Sequence, residues 1–150
     1  MKILALDIGT KRIGIAKAST VLSIAMPLTL INRSESDSDL DIIKKIKKII
    51  EENTIDEILL GLPVTLSGKE EHFAKYVRKF GNLIETELKI NIVYWDERLS
   101  SVSAEKILTQ GRVSRKKRKE NVDKIAATIF LQNYLDFLGR NKWKNLLSFF

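Results

Sequence analysis

The sequence contains no cysteine, which excludes disulfides, thiolate nucleophiles and cysteine-ligated zinc or iron–sulfur sites. It contains one histidine, His72. That rules out a multi-histidine metal site and argues against Ser-His-Asp catalysis. Any bound metal must therefore be held by carboxylates and be a hard cation, magnesium or manganese. No stretch approaches the ~18 apolar residues of a membrane span. Asp7 interrupts the first apolar run too early for a signal-peptide core, so the expected compartment is the cytoplasm. Nothing in the chain reads as an internal repeat or a domain linker.

What is present is ordinary globular material, 44% hydrophobic and 30% charged. The 150 residues are expected to form a single domain over 1–150, with a core over about 1–138 and a tail over 139–150. A chain of this size buries about 68–70% of its unfolded surface and needs no covalent staple. Lys and Arg number 26 against 19 Asp and Glu, a net charge of +7. Such a surplus favours an anionic partner, nucleic acid above all.

Periodicity divides the chain. Ile3 to Ile8 is an apolar run broken only by Asp7 and reads as a strand covered on both faces. Gly9-Thr10-Lys11-Arg12 is a tight turn, and Ile13 to Ala16 a returning strand. Ala25 to Ile31 is a third strand, placed at an edge by Pro27. Between Asp39 and Glu52, Ile42, Ile43, Ile46, Ile49 and Ile50 share one helical face. Lys44, Lys45, Lys47 and Lys48 share the other. Ile55 to Leu60 is a strand running into Gly61-Leu62-Pro63. The next helix buries Phe73, Tyr76, Val77, Phe80, Ile84 and Leu88. Ile90 to Trp95 is a strand, Ser101 to Gln110 a helix stopped by Gly111, residues 112–119 a basic loop, and Asn121 to Leu138 a helix. Short turns early and helical crossovers later predict an α/β fold, with a mixed sheet flanked by helices. The terminal Leu146-Leu147-Ser148-Phe149-Phe150 is expected to pack against the body.

Three carboxylates stand out. Asp7 lies in a strand that otherwise looks buried, where an uncompensated carboxylate costs several kcal/mol. Either it serves a site or it caps the turn before Gly9. Glu97 follows a strand, where functional groups of open sheets gather; the plain alternative is an ion pair with Arg98. Strand alternation sets Asp96 and Glu97 on opposite faces. Asp123 opens the last helix, where the macrodipole alone favours an acid. It also heads a stripe of Ala126, Ala127, Phe130 and Tyr134. Taken together, three carboxylates from different elements suit two-metal phosphodiester hydrolysis, in which one ion activates water and the other stabilises the leaving oxygen.

Arg112, Arg115, Lys116, Lys117, Arg118 and Lys119 put six cations in eight residues, just before Asp123. The run is either a solvated tract or a phosphate-binding loop with a steep salt dependence. Gly9 and Gly14 have the glycine spacing of a P-loop, but no Lys-Ser/Thr follows. His72 falls on the exposed side of its helix. Tyr94 and Trp95 are placed by strand position in the core rather than against a base.

Leu6-Asp7-Ile8-Gly9-Thr10-Lys11-Arg12-Ile13-Gly14 resembles the first motif of the YqgF/RuvX family. Gly61-Leu62-Pro63 with Gly68 resembles its second, Asp96-Glu97-Arg98-Leu99-Ser100-Ser101 its third, and Val122-Asp123-Lys124-Ile125-Ala126-Ala127 its fourth. They occur in family order across nearly the whole chain. One departure is Ala16-Lys17-Ala18-Ser19, where members more often carry an apolar residue and then an acid. The resemblance implies an RNase H-like fold with a mixed five-stranded sheet. It implies a magnesium- or manganese-dependent nuclease with Asp7, Glu97 and Asp123 as metal-binding catalytic residues. It further implies processing of the 5′ end of precursor 16S rRNA in ribosome biogenesis, with Holliday-junction resolution as the alternative. Lys11, Arg12, Arg98 and the 112–119 loop would then hold phosphates. The expected state is a monomer, or a dimer if four-way junctions are cut symmetrically.

Two rival readings stand beside this one. The Asp-x-Gly-Thr opening also resembles the phosphate hairpin of actin-like sugar kinases, which need two such domains. The charge and the basic loop equally fit a nucleic-acid binding module with little catalysis.

Overall fold

The computed structural model describes residues 1–63, 71–96 and 124–139. Five strands form one sheet in the order β3-β2-β1-β4-β5. They are β1 (Lys2–Ile8), β2 (Arg12–Ser19), β3 (Met26–Asn32), β4 (Glu57–Leu62) and β5 (Asn91–Asp96). β1 pairs antiparallel with β2, and β2 with β3. β1 pairs parallel with β4, and β4 with β5. The predicted mixed sheet is what forms, and β1 is its central strand. β3 lies at the edge, where Pro27 removes no interior ladder bond.

Alternation along β1 assigns the two faces. Leu4, Leu6 and Ile8 point to the larger core, shared with Ile58, Leu60, Ile42, Ile46, Val77, Phe80 and Ile84. Ile3 and Ala5 point to the other, with Ala16, Ala18, Leu59, Ala127, Phe130 and Leu131. The first face is covered by α1 (Asp39–Asn53) and α2 (His72–Leu88), the second by the helix over 124–139. Alanines on both sides of that second contact let helix and sheet approach closely.

α1 starts at a capping box. The Ser38 hydroxyl accepts from the Asp41 N–H, and the Asp41 carboxylate accepts from the Ser38 N–H. Those bonds, the backbone one first, hold the Asp41 carboxyl below its usual range. Ile42, Ile43 and Ile46 are buried, and the four lysines lie in solvent as the period predicts. α2 differs from expectation. Phe73, Tyr76 and Leu88 are only half-buried, while Ala74 and Gly81 are buried. The buried face is rotated because Gly81 packs directly against Tyr94 and Leu60. Periodicity weights large residues and cannot see that a glycine makes the closest contact.

The helix over 124–139 is tied down at two places. Gln132 accepts from the Ala25 N–H at 2.9 Å and donates to the Ser23 carbonyl at 3.1 Å. The Tyr134 hydroxyl donates to Glu57 Oε1 at 2.9 Å, while Asn91 Nδ2 donates to Oε2 at 3.1 Å. Glu57, at 8% exposure, is one of the two buried charged residues described. Burial pushes the Tyr134 phenol up to about 12, with the Glu57 hydrogen bond and charge adding to it. A phenol raised in the folded state contributes stability in full below its unfolded value near 10. That contribution disappears as pH climbs through the folded value. The stability gap between the wild type and Tyr134→Phe, measured by urea denaturation, is therefore expected to be constant to about pH 10 and to close by about pH 12. A gap independent of pH would refute the hydrogen bond's role.

The expected helix over 101–110, its Gly111 stop, Gly68 and the apolar segment 146–150 lie outside the described residues.

Candidate nucleic-acid-processing site

Asp7 is 7% exposed. It sits near the C-terminal end of the central strand, where open sheets collect functional groups. Its odd position in β1 puts it on the face of Ile3 and Ala5, the face covered by the helix over 124–139. Directly across the antiparallel ladder its partner is Gly14. On the parallel side Leu6 pairs with Leu60, so the next residue on β4 is Gly61, itself paired with Trp95. Asp7 thus has a glycine beside it on each adjacent strand. Neither carries a Cβ, and glycine inside a strand commonly marks close approach of a ligand or another backbone. Both are buried. Sequence reasoning noted these glycines as motif letters; only the strand register reveals them as the flanks of one carboxylate.

On β5, Val93 and Trp95 belong to the same face as Asp7. Asp96 therefore points to the opposite face and is exposed. The Trp95 ring packs on Tyr134 at 5.3 Å and Phe137 at 5.4 Å, and the Tyr94 hydroxyl donates to the Arg78 carbonyl. Both aromatics are structural, as strand position suggested. Glu97, Arg98, Asp123 and the basic loop over 112–119 lie outside the described residues. Among the described residues no three His, Asp or Glu side chains cluster as a metal site.

Two residues after Asp7 the chain enters the β1–β2 turn. The Gly9 N–H donates to the Arg12 carbonyl at 2.8 Å. Lys11 is exposed at the tip and Arg12 half-buried, so Lys11 is the better placed of the two to meet a phosphate. A Cβ on Gly9 would lie 2.6 Å from the Arg12 carbonyl oxygen, a backbone atom that cannot swing aside. Gly9→Ala is expected to open the turn and cost about 1–3 kcal/mol, the usual scale of overpacking. An unchanged melting temperature would count against this close turn.

Sequence reasoning missed Arg33, which follows β3. Its backbone N–H donates to the Lys11 carbonyl at 2.8 Å. Its Nη1 donates to the Gly9 carbonyl at 2.8 Å. Its Nη2 pairs with Asp39 Oδ1 at 3.2 Å and contacts the Tyr76 hydroxyl. The guanidinium lies over the Tyr76 and Phe80 rings, 5.5 and 5.7 Å from their centroids. Burial raises the Tyr76 phenol above its ordinary range, against the opposing effect of Arg33. No local signal could have found this cluster, because Tyr76 is 43 residues away in sequence.

The sequence model of the RuvX family, described as "Holliday junction resolvase", matches residues 1–137. The chain belongs to the RuvX family. A relative from Carboxydothermus hydrogenoformans, named "Putative pre-16S rRNA nuclease", is 40% identical over 94% of this chain and 100% of its own length. A relative of the same name from Heliobacterium modesticaldum is 42% identical over 91% of this chain and 89% of its own. RuvX is thus a family of enzymes named as nucleases and resolvases, and this chain is one of its members. Among solved structures, Thermus thermophilus RuvC bound to a Holliday junction substrate aligns with TM-score 0.58 and 11% identity, covering 90% of this chain and 93% of that one. The fowlpox virus resolvase with Holliday junction DNA aligns with TM-score 0.59 and 10% identity, covering 92% and 99%. At such identity these likenesses establish the RNase H-like fold alone. No described helix is long and apolar enough to cross a membrane.

Proposed function

We propose that this RuvX chain is a metal-dependent endonuclease that trims the 5′ end of precursor 16S rRNA in the cytoplasm, acting as a monomer. The observation that carries the reading is the buried Asp7 carboxylate, set between Gly14 and Gly61 at the end of the central strand. The RNA substrate is supported by the names of the relatives at about 40% identity.

The residues fit a hard cation. Asp7 offers carboxylate oxygens, the residues beside it on the two adjacent strands are glycines without side chains, and the chain has no cysteine to attract a softer metal. Asp7, Glu97 and Asp123 would hold magnesium or manganese, and two such ions fit three carboxylates. Position 97 is the next odd position after Val93 and Trp95, the β5 residues on the Asp7 face. Asp123 is the residue before the described part of the helix that covers this face. When bound, the metal supplies Lewis acidity at the scissile phosphate. The chain's own cations hold the nucleic-acid backbone: Lys11 and Arg12 from the turn, with Arg98, Arg112, Arg115, Lys116, Lys117, Arg118 and Lys119. Their contacts add affinity that weakens as salt rises.

The test sets a labelled precursor 16S rRNA fragment and a four-way DNA junction against the protein in manganese. Cutting of the RNA alone is the expected result. Cutting of the junction alone would replace this substrate by the one in the family's description. Binding of either without cleavage, at any metal concentration, would sink the nuclease assignment for this chain.

A further inference from the structure

The β1–β2 turn is bonded to Arg33 at two carbonyls, Gly9 through the side-chain Nη1 and Lys11 through the backbone N–H. The guanidinium is itself fixed from three directions. Asp39 comes from the first turn of α1, Tyr76 from α2, and the Tyr76 and Phe80 rings provide its π faces. The Tyr76 hydroxyl also donates to Asp39 Oδ1 at 2.9 Å, closing a triangle. Only 12% of the Arg33 side chain is exposed, and its bonds to Gly9, Asp39 and Tyr76 are made within the protein rather than toward solvent. Such a largely covered cation is tolerated because its charge is paired and both terminal nitrogens donate. Each bond on it ends either on the two helices or on the turn.

We propose that Arg33 is a positioning residue. Anchored on α1 and α2, it fixes the conformation of the Gly9–Arg12 turn and thereby the presentation of Lys11 to a nucleic-acid backbone. The inference rests on the nucleic-acid reading above for its functional half; the clamp itself does not. Lysine cannot replace arginine here. Its ammonium is a single point charge, whereas the planar fork donates to the Gly9 carbonyl and the Asp39–Tyr76 pair at once and stacks on two rings. A turn released from the clamp lets Lys11 sample many positions, and the ordering entropy must then be supplied on binding.

The test compares the wild type, Arg33→Lys, Lys11→Gln and the double variant. Amide exchange in the free protein reads the clamp directly. In Arg33→Lys the amides of residues 9–12 are expected to exchange at least about tenfold faster, with those of β1 and β4 unchanged. Affinity for a precursor rRNA fragment in calcium is expected to fall several-fold in Arg33→Lys and in Lys11→Gln. The double variant is expected to be no weaker than the weaker single one, because both changes remove the same contact. Unchanged exchange at residues 9–12 overturns the clamp. Faster exchange with undiminished affinity in Arg33→Lys, while Lys11→Gln binds weakly, overturns the link from clamp to binding and leaves the proposed function standing. Faster exchange with no RNA affinity in the wild type overturns the nucleic-acid reading and the functional half of the inference together, and leaves the clamp. Fully additive losses in the double variant mean that Arg33 acts elsewhere, which also overturns the inference.

Discussion

Asp7→Asn is expected to lower the rate of cleavage by at least a factor of about 100, the usual cost of removing one preorganised electrostatic group from a reaction centre. Asn keeps the shape and one acceptor oxygen but loses the charge that holds a divalent cation. The fold should tolerate it. Asp7 is 7% exposed in the sheet, and Asn keeps its volume there, so the metal-free variant is expected to melt close to the wild type. Adding manganese should raise the melting temperature of the wild type and hardly that of the variant, since a ligand stabilises only what binds it. A variant that cuts as fast as the wild type would remove Asp7 from the site. One that melts far lower would make Asp7 a structural residue, the turn-capping role that the sequence left open.

The largest effect on stability is expected from Phe130→Ala. Phe130 is fully buried at the contact between the helix over 124–139 and the sheet, against Ile3, Ala5, Ala16 and Leu59. The sheet side of that contact is built largely of alanines, which have no spare atoms to fill a void. Truncation to alanine should cost about 3–5 kcal/mol. At ~2–4 °C per kcal/mol for a chain of this size, the melting temperature should drop by about 10 °C. The same change should depress cleavage in the proposed enzyme even where the protein remains folded, because Asp123 adjoins the described part of this helix in sequence. Calorimetry and single-turnover cleavage measured together check both halves. A drop under about 3 °C would mean that the Gln132 and Tyr134 hydrogen bonds hold the helix without the ring.

Much of the fold could be read from local patterns. The continuous apolar run of β1, the isoleucine stripe of α1 and the edge strand carrying Pro27 all appear where the sequence set them. These features are legible because each depends on residues within one or two turns of each other. The rotated face of α2 was not legible. Its buried surface is decided by Gly81 meeting Tyr94 and Leu60, and a hydropathy pattern assigns glycine no weight. The candidate site divides in the same way. Asp7 announced itself as a charge in an apolar strand, and Lys11 as a cation in a tight turn. Arg33 did not, because its partners come from the β1–β2 turn, α1 and α2.

The sequence by itself determined the class of chemistry open to this protein. Lacking cysteine and having one exposed histidine, it is left with carboxylates, and carboxylates select hard cations. It also determined the order of the described strands and helices, and four motifs in sequence order carried the family. The tertiary structure decided which residues stand beside Asp7. Gly14 lies opposite it across an antiparallel ladder, and Gly61 one residue beyond a parallel pairing with Leu60. It also decided what holds the neighbouring turn, through a guanidinium whose contacts span three other elements. The physical reason is range. Period and turn chemistry act over a few residues, whereas strand register and the hydrogen bonds of Arg33 to Gly9 and Tyr76 join positions far apart in the chain and exist only once the sheet and its helices have assembled.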